Sequence, residues 1–139
     1  MAAAASQAIF AANRASAADP ASQNELPSLS LSEASRRIHA REVTSVELTQ
    51  AVLDRIKIYN PKINAFITVM QQEALAQAAQ LDKDAKGGKF RSPLHGIPIA
   101  LKDNIDTAGT RTTGGSAVFD DRVPDVDAEV VLRLRAFLV

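Results

Sequence analysis

The sequence predicts an α/β layered domain with the element order α-α-β-α-β-loop-α. Three observations carry this reading. Two capping signatures each open a run of apolar residues at helical spacing. Two short apolar segments of strand length interrupt the helical pattern. After the second of them comes a long stretch without periodicity, of a kind compact domains rarely carry without a functional reason.

The elements follow in order. Ser30 with Glu33 three residues on marks a helix start, and Leu31, Ala34 and Ile38 then share one face. Thr44 with Glu47 repeats the signature. Leu48, Val52, Ile56 and Tyr59 continue at helical spacing, and Asn60-Pro61 predicts the stop, because a residue before proline avoids the helical region. Residues 63–69 are short and rich in branched side chains, which predicts a strand. Residues 71–86 are rich in Ala, Leu, Gln and Lys, good helix formers, and Gly87-Gly88 closes that helix. The charged group Asp82, Lys83, Asp84 and Lys86 reads as its solvated end. Residues 97–101 predict a second strand, apolar on both faces as in a buried central position. Pro98 lacks an N–H, so a neighbouring strand must tolerate a gap there. Residues 104–122 read as loop, with Gly109, Gly114 and Gly115. Asp125 or Asp127 can cap a last helix carrying Val130, Leu134 and Phe137 on one face.

Composition narrows the function classes. Apolar residues make up 46% of the chain, enough for a core. Basic and acidic residues balance at 16 each, which gives no electrostatic reason to expect nucleic acid or an anionic membrane as partner. No apolar run approaches the ~20 residues of a membrane span. Cysteine is absent, which excludes a disulfide framework, a thiolate metal site and a cysteine nucleophile. His39 and His95 alone are too few for a histidine-built zinc site, and neither metal nor cofactor is expected. The first 21 residues contain 11 alanines and only Arg14 and Asp19 as charges. Two readings of residues 1–28 stay open. One is a disordered tail with little surface to bury. The other is the remnant of an export signal, with Ala15-Ser16-Ala17 as cleavage site and a basic start supplied upstream. The protein is accordingly expected in the cytoplasm, or exported if such a start exists.

The residue that opens the long loop carries the chemistry. Lys102 stands directly after the apolar run 97–101, and ligand sites of open α/β sheets gather at the carboxyl ends of strands. A partly desolvated lysine gives up its proton more readily and can act as a general base.

The run from Leu94 through His95, Gly96, Ile97, Pro98, Ile99, Ala100, Leu101 and Lys102 to Asp103 and Asn104 resembles the start of the catalytic core of the amidase signature family. The likeness continues at Gly109-Thr110, Thr113, Gly115-Ser116 and Asp127-Ala128. Upstream, Ser45-Val46-Glu47-Leu48, Asn60-Pro61 and Ile63-Asn64-Ala65-Phe66 resemble the family's first helices and strand. The resemblance spans roughly residues 29–135. It implies the N-terminal portion of a mixed sheet covered by helices, and hydrolysis or transfer of amides, with small amides as substrates. It also implies a relay of a serine nucleophile, a second serine in a cis peptide bond, and a lysine that matches Lys102. Relatives of this kind include general amidases, fatty-acid amide hydrolases and the glutamine-amidase subunit of tRNA-dependent amidotransferases.

In that family the glycine- and serine-rich loop with both serines follows the helix that here begins near Asp127. Residues 29–139 therefore read as the N-terminal part of an amidase domain, ending before that loop, and the chain alone is expected to be inactive. A non-catalytic module that binds a partner protein is the alternative. A homo-oligomer is left open, and the particular amide is not legible. Ser116 follows two glycines but lacks the strand–turn–helix setting of a nucleophile, so a supporting place near the site fits it better. Asp103 and Asn104 suit either orientation of the loop backbone or a simple turn through side-chain bonds to nearby N–H groups. His95 reads as a hydrogen-bonded structural residue, and His39 as a residue near a helix end.

Overall fold

The computed structural model describes residues 25–138. They form α1 (Leu31–His39), α2 (Ser45–Ile63), α3 (Gln71–Lys86) and α4 (Glu129–Leu138), with single turns of 3-10 helix at Leu26–Ser28 and Ala117–Phe119. Of the tail expected over residues 1–28, positions 1–24 lie outside the described residues. Its last part is structured, with Leu26 buried in the core.

The capping signatures place both helix starts. Ser30 Oγ accepts the Glu33 N–H at 3.2 Å. Glu33 does not return the bond; its carboxylate turns to Arg36 at 2.9 Å and Arg37 at 2.7 Å. At α2 the box is reciprocal: Thr44 Oγ1 accepts the Glu47 N–H at 3.1 Å, and the Glu47 carboxylate accepts the Thr44 N–H at 2.8 Å. The expected stop at Asn60-Pro61 is overrun by one turn, to Ile63, with Asn64 in the left-handed region as cap. Pro61 costs the helix only the bond to the Lys57 carbonyl, in a turn exposed to water. α3 has the predicted bounds, and Gly87 and Gly88 donate to Lys83 and Ala85 to close it.

Neither segment expected as a strand forms one among the described residues, so the predicted sheet is not formed there. A strand needs a partner for its backbone groups. At residues 63–69 the Asn60 side chain takes over both groups of Phe66, donating to its carbonyl at 2.9 Å and accepting its N–H at 2.8 Å. Ile67, Val69, Ile99 and Leu101 are left exposed.

The core is small. Leu26, Ala34, Ile38 and Leu48 are buried together, and Leu29, Val43, Ala51, Phe90 and Ile97 pack against them. Ala78, Leu81 and Ala85 are the buried face of α3. Leu31 and Tyr59, expected on the inner faces of their helices, are exposed.

One knot joins α2, α3 and the turn that follows. The Asp82 carboxylate accepts the Ser45 N–H at 2.7 Å and the Val46 N–H at 3.1 Å, capping α2 from the end of α3. Ser45 Oγ donates to the Gly96 carbonyl at 2.8 Å. Gly96 has φ +78°, and a Cβ there would lie 1.9 Å from Ser45 Oγ. The fully buried His95 places Nε2 3.0 Å from the Leu81 carbonyl, while its ring meets Phe90 edge-on. Phe90 in turn stacks on His39. Asp82 is thus no solvated charge, contrary to the expectation from its neighbours in sequence. Its partners lie more than 30 residues away, beyond the reach of any local pattern.

The knot can be tested at its tightest point. Gly96→Ala forces a side chain into both a strained φ and an occupied space, at a cost of about 2 kcal/mol or more. Native-state hydrogen exchange at the Ser45 and Val46 amides should then quicken about 30-fold or more; unchanged protection would exclude the wedge. A further expectation concerns acid. Hydrogen bonds from Arg36 and then Arg37 hold Glu33 at about 2 against an ordinary 4.5. A carboxylate depressed by folding stabilises the folded state above its unfolded value, and that support fades as pH falls through the folded value. Ellipticity at 222 nm should therefore decline as pH falls from 4.5 towards 2. Glu33→Gln should flatten the decline; a superimposable titration would count against this cause.

Candidate active site

The segment after the knot builds the site. Starting from Gly96, residues 97–101 run beside α3 and α4 and line a groove of about 210 Å³ with Ile97, Ile99 and Leu101 facing Ala78, Leu81 and Val131. Lys102 ends this run and stands exposed, outside the groove lining. Among the described residues its ammonium has no hydrogen-bonded or ion-paired partner. The expected desolvation is therefore not supplied by these residues.

The chain then turns. The Ile105 N–H donates to the Lys102 carbonyl at 2.9 Å, which puts Asp103 and Asn104 at the bend, as their turn chemistry predicts. Asp103 does more than close a turn. Its carboxylate accepts the Thr113 N–H at 3.0 Å, the Thr113 hydroxyl at 2.5 Å and the Gly115 N–H at 3.1 Å. Its own carbonyl accepts the Gly114 N–H at 2.9 Å. The Thr113 hydroxyl and then its N–H hold the Asp103 carboxyl below the usual carboxylate range. Gly114 and Gly115 sit at φ +60° and +70°, which lets the loop curl around this carboxylate.

Two more carboxylates order the rest of the loop. Asp106 forms a two-pronged pair with Arg122 at 2.7 and 2.6 Å, and that guanidinium lowers its carboxyl. Asp127 accepts the Ala108 N–H at 2.8 Å and pairs with Arg135 at 2.9 Å. Asp127 is one of the two expected caps of the last helix. Its carboxylate instead reaches back to the loop, and the first carbonyl to accept from α4 is that of Ala128. The inner face of α4 is also shifted. Val131 and Leu134 line the groove, whereas Val130 and Phe137 are exposed.

Ser116 is engaged locally. Its Oγ accepts the Val118 N–H at 3.3 Å and caps the short 3-10 turn. His95 is a structural residue of the knot. His39 sits near the end of α1 with its ring Nδ1 2.9 Å from the Ser35 carbonyl. Among the described residues no three His, Asp or Glu side chains converge as a metal site requires, and no helix is long and apolar enough to cross a membrane. The sequence offered a loop-orienting role for Asp103, and the structure has it holding residues 113–115; sequence reasoning missed the loop roles of Asp106 and Asp127. The one available signal was the density of aspartates in a glycine-bearing loop, which suits side-chain capture of backbone N–H groups.

Comparison with known proteins places this arrangement. The amidase family model matches residues 47–137. A glutamyl-tRNA(Gln) amidotransferase subunit from Carboxydothermus hydrogenoformans is 40% identical over 111 residues, 80% of this chain and 23% of that protein. The structure of the peptide amidase from Stenotrophomonas maltophilia aligns at TM-score 0.71 and 41% identity, covering 78% of this chain and 23% of that one. A fatty acid amide hydrolase structure aligns at TM-score 0.76 and 28% identity, covering 83% and 20%. The chain thus spans about a quarter or less of the length of each of these proteins, and it belongs to the amidase family.

Proposed function

We propose that this segment is the N-terminal part of an amidase domain that hydrolyses carbon–nitrogen bonds of small amides, with Lys102 as the base of a Ser–cis-Ser–Lys relay. The observation that carries the reading is the position of Lys102. It follows the apolar run that begins at the Gly96 anchor and precedes the loop held by Asp103, and it lies within the stretch matched by the amidase model. Both serines of the relay belong to length that this chain does not match. Lys102 would take a proton from the bridging serine, which in turn deprotonates the nucleophile. Backbone N–H groups of the glycine- and serine-rich loop would hold the oxyanion. The same further length would cover the exposed Ile99 and Leu101, pair residues 97–101 into a sheet, and withdraw Lys102 from water.

The 139 residues alone should hydrolyse no amide. In the complete amidase carrying this segment, Lys102→Ala should lower turnover by about 10²- to 10⁴-fold or more. Lys102→Arg should fail as well, because a guanidinium does not give up its proton. Ser116→Ala should keep most activity, since its hydroxyl oxygen serves a local cap. Steady-state turnover of a simple amide by the three variants decides. Near-wild-type turnover by Lys102→Ala would remove the lysine from the mechanism.

A further inference from the structure

We propose that Asp103 is a positioning residue for Lys102, tying the turn that carries the lysine to the loop at residues 113–115; this rests on the reading of Lys102 as the base.

The hydrogen bonds converge on one residue. Asp103 receives four of them from three consecutive residues: two from Thr113 and one from Gly115 to its carboxylate, and one from Gly114 to its carbonyl. Thr113 is itself buried, so the anchor side of this clamp is fixed. The lysine side is not. Lys102 is exposed, and its backbone carbonyl takes a single turn bond from Ile105. Its four-carbon stem adds freedom of its own. With Asp103 clamped, the peptide joining the two residues fixes the direction in which the lysine leaves the backbone. Without the carboxylate, the one hydrogen bond among the described residues that still ties this turn to residues 113–115 is that from the Gly114 N–H to the Asp103 carbonyl.

The other two carboxylate clamps act elsewhere. Asp106 and Arg122 join the middle of the loop, and Asp127 joins it to α4. Of the three aspartates, Asp103 alone is adjacent in sequence to the base. A proton must pass between groups about 2.6–3.2 Å apart, so a shift of the turn is felt in the proton transfer before it is felt in binding. Misplacement of a reacting group by about 1 Å can cost about 100-fold in rate.

The test is steady-state kinetics of the complete amidase carrying this segment, with Lys102→Ala, Asp103→Ala, Thr113→Val and Thr113→Ser. Asp103→Ala should lower kcat about 100-fold while KM stays within about 3-fold and the thermal midpoint moves little. Thr113→Val removes the hydroxyl's bond to Asp103 and the one it accepts from the Gly115 N–H, leaves the backbone bonds to Asp103 in place, and should give a smaller fall in kcat of the same kind. Thr113→Ser restores the hydroxyl and should recover most of that loss. If Asp103→Ala keeps its kcat while Lys102→Ala is dead, positioning is wrong and the base assignment stands. If Lys102→Ala keeps turnover, the base assignment fails and the proposal falls with it. If Asp103→Ala does not fold, the threonine pair decides. Equal kcat for Thr113→Val and Thr113→Ser, or a joint loss of kcat, KM and stability that serine does not repair, would make the clamp structural only and overturn the proposal.

Discussion

The Asp82 carboxylate, seated on the start of α2 beside the Gly96 turn, is the contact that sets where everything else goes. α2 begins with N–H groups that have no partner within the helix. Asp82 satisfies two of them from the end of α3, and a negative charge at a helix N-terminus is favourable in its own right. Ser45 then passes the constraint on, because its hydroxyl holds the Gly96 carbonyl. The close approach is open only to glycine, since any Cβ would occupy the space of Ser45 Oγ. Two helices and a turn are thereby fixed relative to one another at a single place, and the run leading to Lys102 starts from it.

From there to α4 the chain is ordered with no regular structure beyond the single 3-10 turn at Ala117–Phe119. Loops of this length expose backbone groups that must find partners. Here aspartates supply them: Asp103 for Thr113 and Gly115, and Asp127 for Ala108, while Asp106 engages Arg122. These are charge-assisted bonds, stronger than neutral ones. A segment that reads as polar and unstructured in sequence is thus held by side chains to backbone, in place of a helix or sheet ladder. Arg122 extends the arrangement by also reaching the Thr112 carbonyl.

The distribution of apolar surface belongs to the same picture. The core is built from few residues, while Ile67, Val69, Ile99, Leu101, Leu132 and Phe137 remain exposed. Single exposed apolar residues are ordinary, but four of these, Ile67, Val69, Ile99 and Leu101, fall on the two segments of strand character. The match to this chain covers 23% of the amidotransferase subunit from Carboxydothermus hydrogenoformans, and two of the exposed residues, Ile99 and Leu101, lie on the segment that leads to Lys102.

Helices, turn chemistry and family were all legible in the order of residues. Ser30, Thr44 and Glu47 announce their helices because capping is local, decided within four residues. The composition of residues 71–86 and the glycines after them set α3 for the same reason. The motif around Lys102 was legible as well, and with it the family. The strands were not legible in this way. Branched side chains favour an extended backbone, but a strand exists only when a neighbour takes its N–H and C=O groups, and Asn60 takes those of Phe66 instead. The roles of Asp82 and Asp127, and the partners of Asp103, emerge only once the chain is packed. A carboxylate in sequence has no direction, and whether it faces water, a helix start or a glycine loop depends on which distant backbone N–H groups the packing brings within about 3 Å of it.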